Sequence, residues 1–149
     1  MPRPERTAAI LVAAGRGLRA GAGGPKQYRE IGGQTVIFRA MEAFCRHPDV
    51  FAVQPVVNPD DASIFNAAVA GLRHQPPANG GATRQASVHA GLEALAQWLR
   101  DLMAVSAGAP EHIAYTDDAA LLASITKKQR VAPEGVASAI LRVREAQDL

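Results

Sequence analysis

The stretch that most constrains this chain is Leu11-Val12-Ala13-Ala14-Gly15-Arg16-Gly17-Leu18-Arg19, followed by Pro25-Lys26-Gln27. The apolar run Ala8 to Ala14 predicts a buried parallel strand, since such strands are covered on both faces and lose the alternation of half-exposed ones. The run empties into a loop with glycines at 15, 17, 21, 23 and 24. Glycines admit close approach of backbone N–H groups to a phosphate chain, because no Cβ intervenes and positive φ is open to them. Arg19 and Lys26 can place positive charge where negative charge builds up in phosphoryl chemistry. The spacing matches neither the P-loop, which ends in Gly-Lys-Ser/Thr, nor the dinucleotide Gly-x-Gly-x-x-Gly pattern. A bare glycine cluster is read equally well as a surface turn.

At 149 residues the chain is one domain's worth, long enough to bury a sizeable core. With 48% hydrophobic and 20% charged residues it belongs with globular chains rather than disordered ones. A formal charge of +2 and few aromatics with which bases could stack disfavour nucleic-acid binding. Cys45 is the single cysteine, so neither an internal disulfide nor a cysteine zinc site is available, which fits a cytoplasmic protein. Arg3 and Arg6 before the uncharged run Thr7 to Ala14 resemble the start of a signal peptide. That run is short for an export signal and breaks into Gly-Arg-Gly, so a first core strand is the better reading. No stretch has the length of a membrane-spanning helix.

Beyond the loop, Ile31-Gly32-Gly33 marks a turn, and Val36, Ile37, Ala40, Met41 and Phe44 recur at helical spacing over residues 35–47. Val50 to Val57 reads as a second strand, with Pro55 predicting a bulge or an early end. Pro59-Asp60-Asp61 opens a second helix through about Leu72. Asn79-Gly80-Gly81 signals a turn, and Val88, Leu92, Leu95, Leu99 and Leu102 mark a third helix from about Arg84 to Met103, with Thr83 as its N-cap. Strands alternating with helices predict an α/β fold, a parallel or mixed sheet with helices on both faces. Further on, Glu111 and His112 read as a solvent-exposed pair pointing to opposite faces of an extended segment. Lys127-Lys128-Gln129-Arg130 reads as a basic turn, and Pro133 to Gln147 as an amphipathic helix.

Gly15-x-Gly17-x-Arg19 followed by Pro25-Lys26-Gln27 resembles the signature of nucleotidyltransferases that make activated sugars and cofactors. The Pro-Lys-Gln-Tyr ending most resembles the 2-C-methyl-D-erythritol 4-phosphate cytidylyltransferase family of the non-mevalonate isoprenoid pathway. Gly80-Gly81-Ala82-Thr83-Arg84-Gln85-Ala86-Ser87 is similar to that family's second nucleotide-contacting segment, at a matching distance along the chain; alone it is a loop with Thr83 as helix cap. The resemblance spans residues 7–95 and implies a Rossmann-like sheet of nucleotidyltransferase type, incomplete in this chain, with residues 96–149 a shortened remainder of the same domain. It also implies cytidylyl transfer from CTP to methylerythritol phosphate, with release of pyrophosphate and help from Mg²⁺. Ala13, Ala14, Gly15 and Gly17 would line the nucleotide through their backbones, with Gly80, Gly81 and Ser87 at the cytidine base. Arg19 and Lys26 would stabilise the transition state and the leaving pyrophosphate.

The resemblance also has gaps. Many members carry an acid directly after the glycines, where this chain has Ala82. The family's His-Asp-Ala-Ala-Arg-Pro segment supplies a metal-holding aspartate, but the comparable stretch here, Met103 to Pro110, has no carboxylate. The metal ligand is therefore unassigned, and the dimer-building arm and late catalytic lysine have no match. Tyr115-Thr116-Asp117-Asp118-Ala119 resembles a later family segment in which Thr116 would bind substrate, although helix capping explains the same residues. Three accounts stand open: a cytidylyltransferase, a nucleotidyltransferase with another base or acceptor, and a truncated homologue that at most binds nucleotide. The missing aspartate and lysine predict weak or absent turnover.

Overall fold

A computed structural model describes residues 7–16, 24–116, 119–129 and 133–147. The chain divides into two compact units, Met1–Gly91 and Leu92–Leu149. In the first, β1 (Thr7–Ala13) leads past a single 3-10 turn, Lys26–Tyr28, into a short antiparallel hairpin of β2 (Glu30–Ile31) and β3 (Gln34–Thr35). Gly32 and Gly33 form its tip with φ of 61° and 78°, the paired positive values that a two-residue hairpin turn requires. Helix α1 (Val36–Cys45) starts at once, capped by Thr35, whose Oγ1 accepts from Phe38 N at 3.2 Å. β4 (Val50–Val57) follows, then a 3-10 turn at Pro59–Asp61, α2 (Ala62–Ala68), β5 (Ala78–Asn79) and α3 (Arg84–Ser106).

The principal sheet has the order β1-β4-β5, parallel throughout. Side chains alternate across it, so the two faces are read by parity. Ala13, Val53 and Val57 gather with Ile37 and Met41 of α1 and with Phe65 and Val69 from α2 and its end into one buried cluster. Ile10 and Val56, of opposite parity, meet α3 at Gly91. Helices thus cover both faces of the parallel sheet, as the alternation of elements predicts. Met41 and Phe65 are completely buried, and burial of such side chains stabilises a fold by about 1.5–3 kcal/mol each.

Pro55 departs from expectation, since β4 neither bulges nor ends there. The ladder's irregularity lies at Thr7/Ala8 instead. Val53 O accepts from Gln75 N at 2.9 Å and Val57 O from Gly80 N at 2.8 Å, so the polar groups of alternate residues face the β5 side. Pro55 falls between these two bonds, so its nitrogen faces the same side without an N–H to donate. The buried Gln54 side chain fills in, its Nε2 donating to Pro55 O at 3.0 Å and to Pro76 O at 2.8 Å.

Other bounds shift by less. The second helix ends at Ala68 rather than near Leu72, because Leu72 N turns back to Val69 O and Gly71 takes φ of 85°. Val88 is exposed, not part of the buried stripe of α3, and that helix runs three residues past Met103. It closes on Gly108, with φ of 79°.

In the second unit α4 (Ala119–Gln129) and α5 (Pro133–Gln147) follow. The tail helix has its expected bounds, but Lys127, Lys128 and Gln129 belong to the last turn of α4 rather than to a basic turn; Arg130 lies outside the described residues. Glu111 and His112 are exposed as expected. They sit in a 3-10 turn, so their side chains converge at 3.4 Å rather than diverging as on a strand. Buried Asp101 organises this unit. It accepts from Ala114 N at 3.0 Å, from Tyr115 N at 2.9 Å and from Gln97 Nε2 at 2.9 Å.

Gly91 offers a test in which two effects oppose. Gly→Ala inside a helix ordinarily gains about 1 kcal/mol. Here an added Cβ would lie 2.6 Å from Ile10 Cγ2 and 2.7 Å from Val56 Cγ2, on stiff β-branched side chains in the sheet. Overpacking of that kind costs about 1–3 kcal/mol. Gly91→Ala is therefore expected to lower stability in denaturant unfolding, and a more stable variant would contradict this packing.

Candidate functional site

β1 and β4 run parallel with Ala13 level with Val57, so both strands deliver their following loops to the same end of the sheet. A cleft of about 1010 Å³ opens there. One wall is the end of β1, the other the turn Gly80-Gly81 and the start of α3, with Asn58 to Asp60 beyond β4. Of the residues that the sequence singles out, Ala13, Ala14, Gly15, Lys26, Gly80, Gly81 and Ser87 all line it. Gly17 and Arg19 lie outside the described residues. Thr116 is exposed in the second unit and is not among the lining residues.

Two glycine segments, far apart in sequence, come into contact at Gly80. A Cβ built on Gly80 would lie 2.1 Å from Ala14 Cβ and 3.2 Å from Ser87 Oγ, so only glycine fits. Gly80 N donates to Val57 O at 2.8 Å, which fastens the turn to the end of β4. Ser87 is buried and secures the same turn from the helix side. Its Oγ accepts from Gly81 N at 3.1 Å and donates to Thr83 O at 3.0 Å; Gly81 O stands farther away, at 3.4 Å. The single hydroxyl proton is thus spent within the turn. Thr83 caps α3 as expected, Oγ1 accepting from Ala86 N at 3.0 Å.

Arg16, Gln27, Asp60 and Arg84 also line the cleft, and the sequence motifs assign none of them a contact with nucleotide. Arg16 Nη2 donates to Asp60 Oδ2 at 2.7 Å across the cleft mouth, both side chains being largely exposed. Forty-four residues separate them, and no local pattern signals such a pair. Gln27 Nε2 donates to Ala13 O at 2.9 Å and to Gly15 O at 3.0 Å. Next to it Tyr28 packs against the core cluster, and burial, followed by the nearby Asp61 carboxylate, pushes its phenol up to about 12. Tyr28 is therefore a neutral anchor for the turn that carries Lys26.

The described residues do not make a metal centre. No group of three His, Cys, Asp or Glu side chains could hold an ion among them. One carboxylate, Asp60, is found among the cleft-lining residues, and Arg16 occupies it. A hard divalent cation takes several oxygen ligands, so this donor set does not fit one. No described helix is long and apolar enough to cross a membrane.

The family model for 2-C-methyl-D-erythritol 4-phosphate cytidylyltransferase matches residues 7–147, past the residues 7–95 that carry the motifs. The chain is 76% identical over 105 residues to the bifunctional enzyme IspD/IspF of Bradyrhizobium diazoefficiens, covering 70% of this chain and 26% of that protein. It is 58% identical over 130 residues to the bifunctional enzyme IspD/IspF of a Rhodopseudomonas palustris strain, covering 87% and 32%. The chain thus spans about a quarter to a third of the length of these relatives. Among solved structures, 4-diphosphocytidyl-2C-methyl-D-erythritol synthase from Anaerococcus prevotii aligns with TM-score 0.49 and 26% identity, over 60% of this chain and 37% of that one.

The contact at Gly80 makes the joining of the two segments testable. Gly80→Ala should destabilise the first unit by about 1–3 kcal/mol through overpacking. Adding Ala14→Gly removes the opposing methyl and should restore much of the loss. Equal stability of the double variant and Gly80→Ala, measured by denaturant unfolding, would show that the segments do not meet there.

Proposed function

The chain belongs to the 2-C-methyl-D-erythritol 4-phosphate cytidylyltransferase family, and from that membership we propose that its cleft binds CTP for cytidylyl transfer to 2-C-methyl-D-erythritol 4-phosphate. The observation that carries this reading is the convergence of the β1 loop and the Gly80-Gly81 turn on one cleft. A nucleoside triphosphate needs two kinds of contact, backbone donors with cations for the phosphates and a shaped polar edge for the base. The β1 side offers the first and the Gly80 side the second.

The roles of the described residues follow from their place on the cleft, and those of Gly17 and Arg19 from the family resemblance alone. Ala13, Ala14, Gly15 and Gly17 present backbone to the nucleotide. Lys26, exposed at the cleft, and Arg19 neutralise charge on the phosphates as the acceptor phosphate displaces pyrophosphate from the α-phosphorus. The bond formed is acceptor oxygen to α-phosphorus, and the bond broken leads to the bridging oxygen that leaves with pyrophosphate. Catalysis of this kind is largely positioning and charge stabilisation. Gly80 and Gly81 face the base, and Ser87 acts by holding Gly81 in place. Thr116 remains a candidate for the acceptor. Mg²⁺ is the ion this chemistry ordinarily recruits. The described donor set of this chain does not fit it. We place this activity in the cytoplasm, with a homodimer as the family's assembly.

A second reading has one observation in its favour. With Asp60, the one carboxylate among the described lining residues, already paired to Arg16, the chain would bind nucleotide and turn over slowly or not at all.

Binding and turnover are separable by experiment. CTP at a hundred times its Kd should stabilise the chain by about 2.7 kcal/mol, with smaller effects from ATP, GTP and UTP. Lys26→Ala should weaken CTP binding by roughly 10- to 100-fold, the range for loss of a hydrogen bond to a charged group. Absence of any CTP effect in calorimetry would overturn the nucleotide reading. Release of pyrophosphate from CTP and methylerythritol phosphate would decide for the enzyme over the slow binder.

A further inference from the structure

Gln27 makes two hydrogen bonds that join the far end of the glycine loop to its near end. Its Nε2 donates to Ala13 O at 2.9 Å and to Gly15 O at 3.0 Å. Both partners are carbonyl oxygens, which only accept, so chemistry alone fixes which end of the amide faces them. The residue before it is Lys26, and the residue after it is Tyr28, packed on the core cluster. The 3-10 turn is closed by Tyr28 N donating to Pro25 O at 3.1 Å and Arg29 N to Lys26 O at 3.2 Å. The turn is thus held on one side by the core and on the other by the end of β1.

An anion cradle needs N–H groups presented and carbonyls turned aside, since carbonyl oxygens repel phosphate. In a trans peptide plane the C=O and the following N–H point in opposite directions. By capturing the carbonyls of Ala13 and Gly15, Gln27 also sets the directions of the Ala14 and Arg16 N–H groups. We propose that Gln27 is a positioning residue for the nucleotide phosphates: it ties the residues at the end of β1 to the turn at Lys26–Tyr28 before ligand arrives and so holds Lys26 beside the end of β1. Such preorganisation spares the nucleotide the cost of ordering Ala14 to Arg16 and Lys26 when it binds. The inference rests on the CTP reading above, and the test keeps the two apart.

Two measurements on the full chain decide it. In hydrogen exchange without nucleotide, Gln27→Ala should speed exchange of the Tyr28 and Arg29 amides roughly tenfold while the amides of β4 are unchanged. Equal rates in wild type and variant would overturn the clamp whether or not the chain binds nucleotide. In calorimetry with CTP, Gln27→Ala should raise Kd about tenfold when Lys26 is present and by a smaller factor, about threefold, in Lys26→Ala, where only the orientation of the Ala14 and Arg16 N–H groups is left to lose. A tenfold loss in both backgrounds, or none in either, would overturn the positioning role. Wild-type protein that binds no CTP would remove the nucleotide reading, and with it the phosphate role of Gln27. Tight CTP binding that is the same in wild type and Gln27→Ala would remove this inference alone.

Discussion

The parallel ladder between β1 and β4 sets Ala13 level with Val57, and the site is built where those strands stop. Parallel strands send their continuations off the same edge of a sheet, so the glycine loop after β1 and the segment after β4 start as neighbours. The short strand β5 adds the third partner and delivers Gly80 beside Ala14. The closeness of that contact explains why the sequence has no side chain at position 80. The ladder in turn depends on cover for both faces. The cluster around Met41 and Phe65 provides it on one side, and α3, approaching at Gly91, on the other.

Three side chains then fasten the backbone in and around the parallel sheet, and none of them needs a ligand to do so. Gln27 gathers the carbonyls at the end of β1, Ser87 ties down the Gly81 turn, and Gln54 bridges the carbonyls beside Pro55. Gln27 and Ser87 act where the strands stop, beside the cleft, and Gln54 acts inside β4. The cost of an unsatisfied backbone group explains the choice of residue, since a buried carbonyl or N–H without a partner loses more than a typical hydrogen bond returns. Arg16 and Asp60 are of another kind. Their exposed pair contributes little to stability, yet it stands at the cleft mouth and occupies the carboxylate there.

Much of this was legible in the sequence, for reasons that differ residue by residue. The apolar run before Gly15 and the helical spacing from Val36 to Phe44 are local patterns, and both elements formed where those patterns put them. But β1 is not the buried strand expected: Ala13 alone is buried and Val12 is exposed, as are Val36 and Phe44 of α1. Lys26 and the Gly80-Gly81 pair could be singled out because glycine and cation spacing is itself a chemical pattern, and the structure brings them to one cleft. Pro55 misled because its tolerance depends on which edge its absent N–H faces and on Gln54, facts set by neighbouring strands. Lys127 misled because a run of charge does not distinguish a turn from the last turn of a helix. Gln27 lay within the motif, but its role depends on two carbonyls more than ten residues away. Asp101 of the second unit is similar, a buried carboxylate whose partners are backbone amides thirteen and fourteen residues on.

The central claim is that the β1 loop and the Gly80-Gly81 turn serve one ligand. The most direct test is a CTP titration of the isotopically labelled chain followed through its backbone amide resonances. Shifts should appear together, with one common Kd, at Ala14 to Arg16, at Lys26 and Gln27, and at Gly80, Gly81 and Ser87. Shifts at the β1 loop with none at Gly80 and Gly81, or shifts confined to residues 92–149, would contradict it.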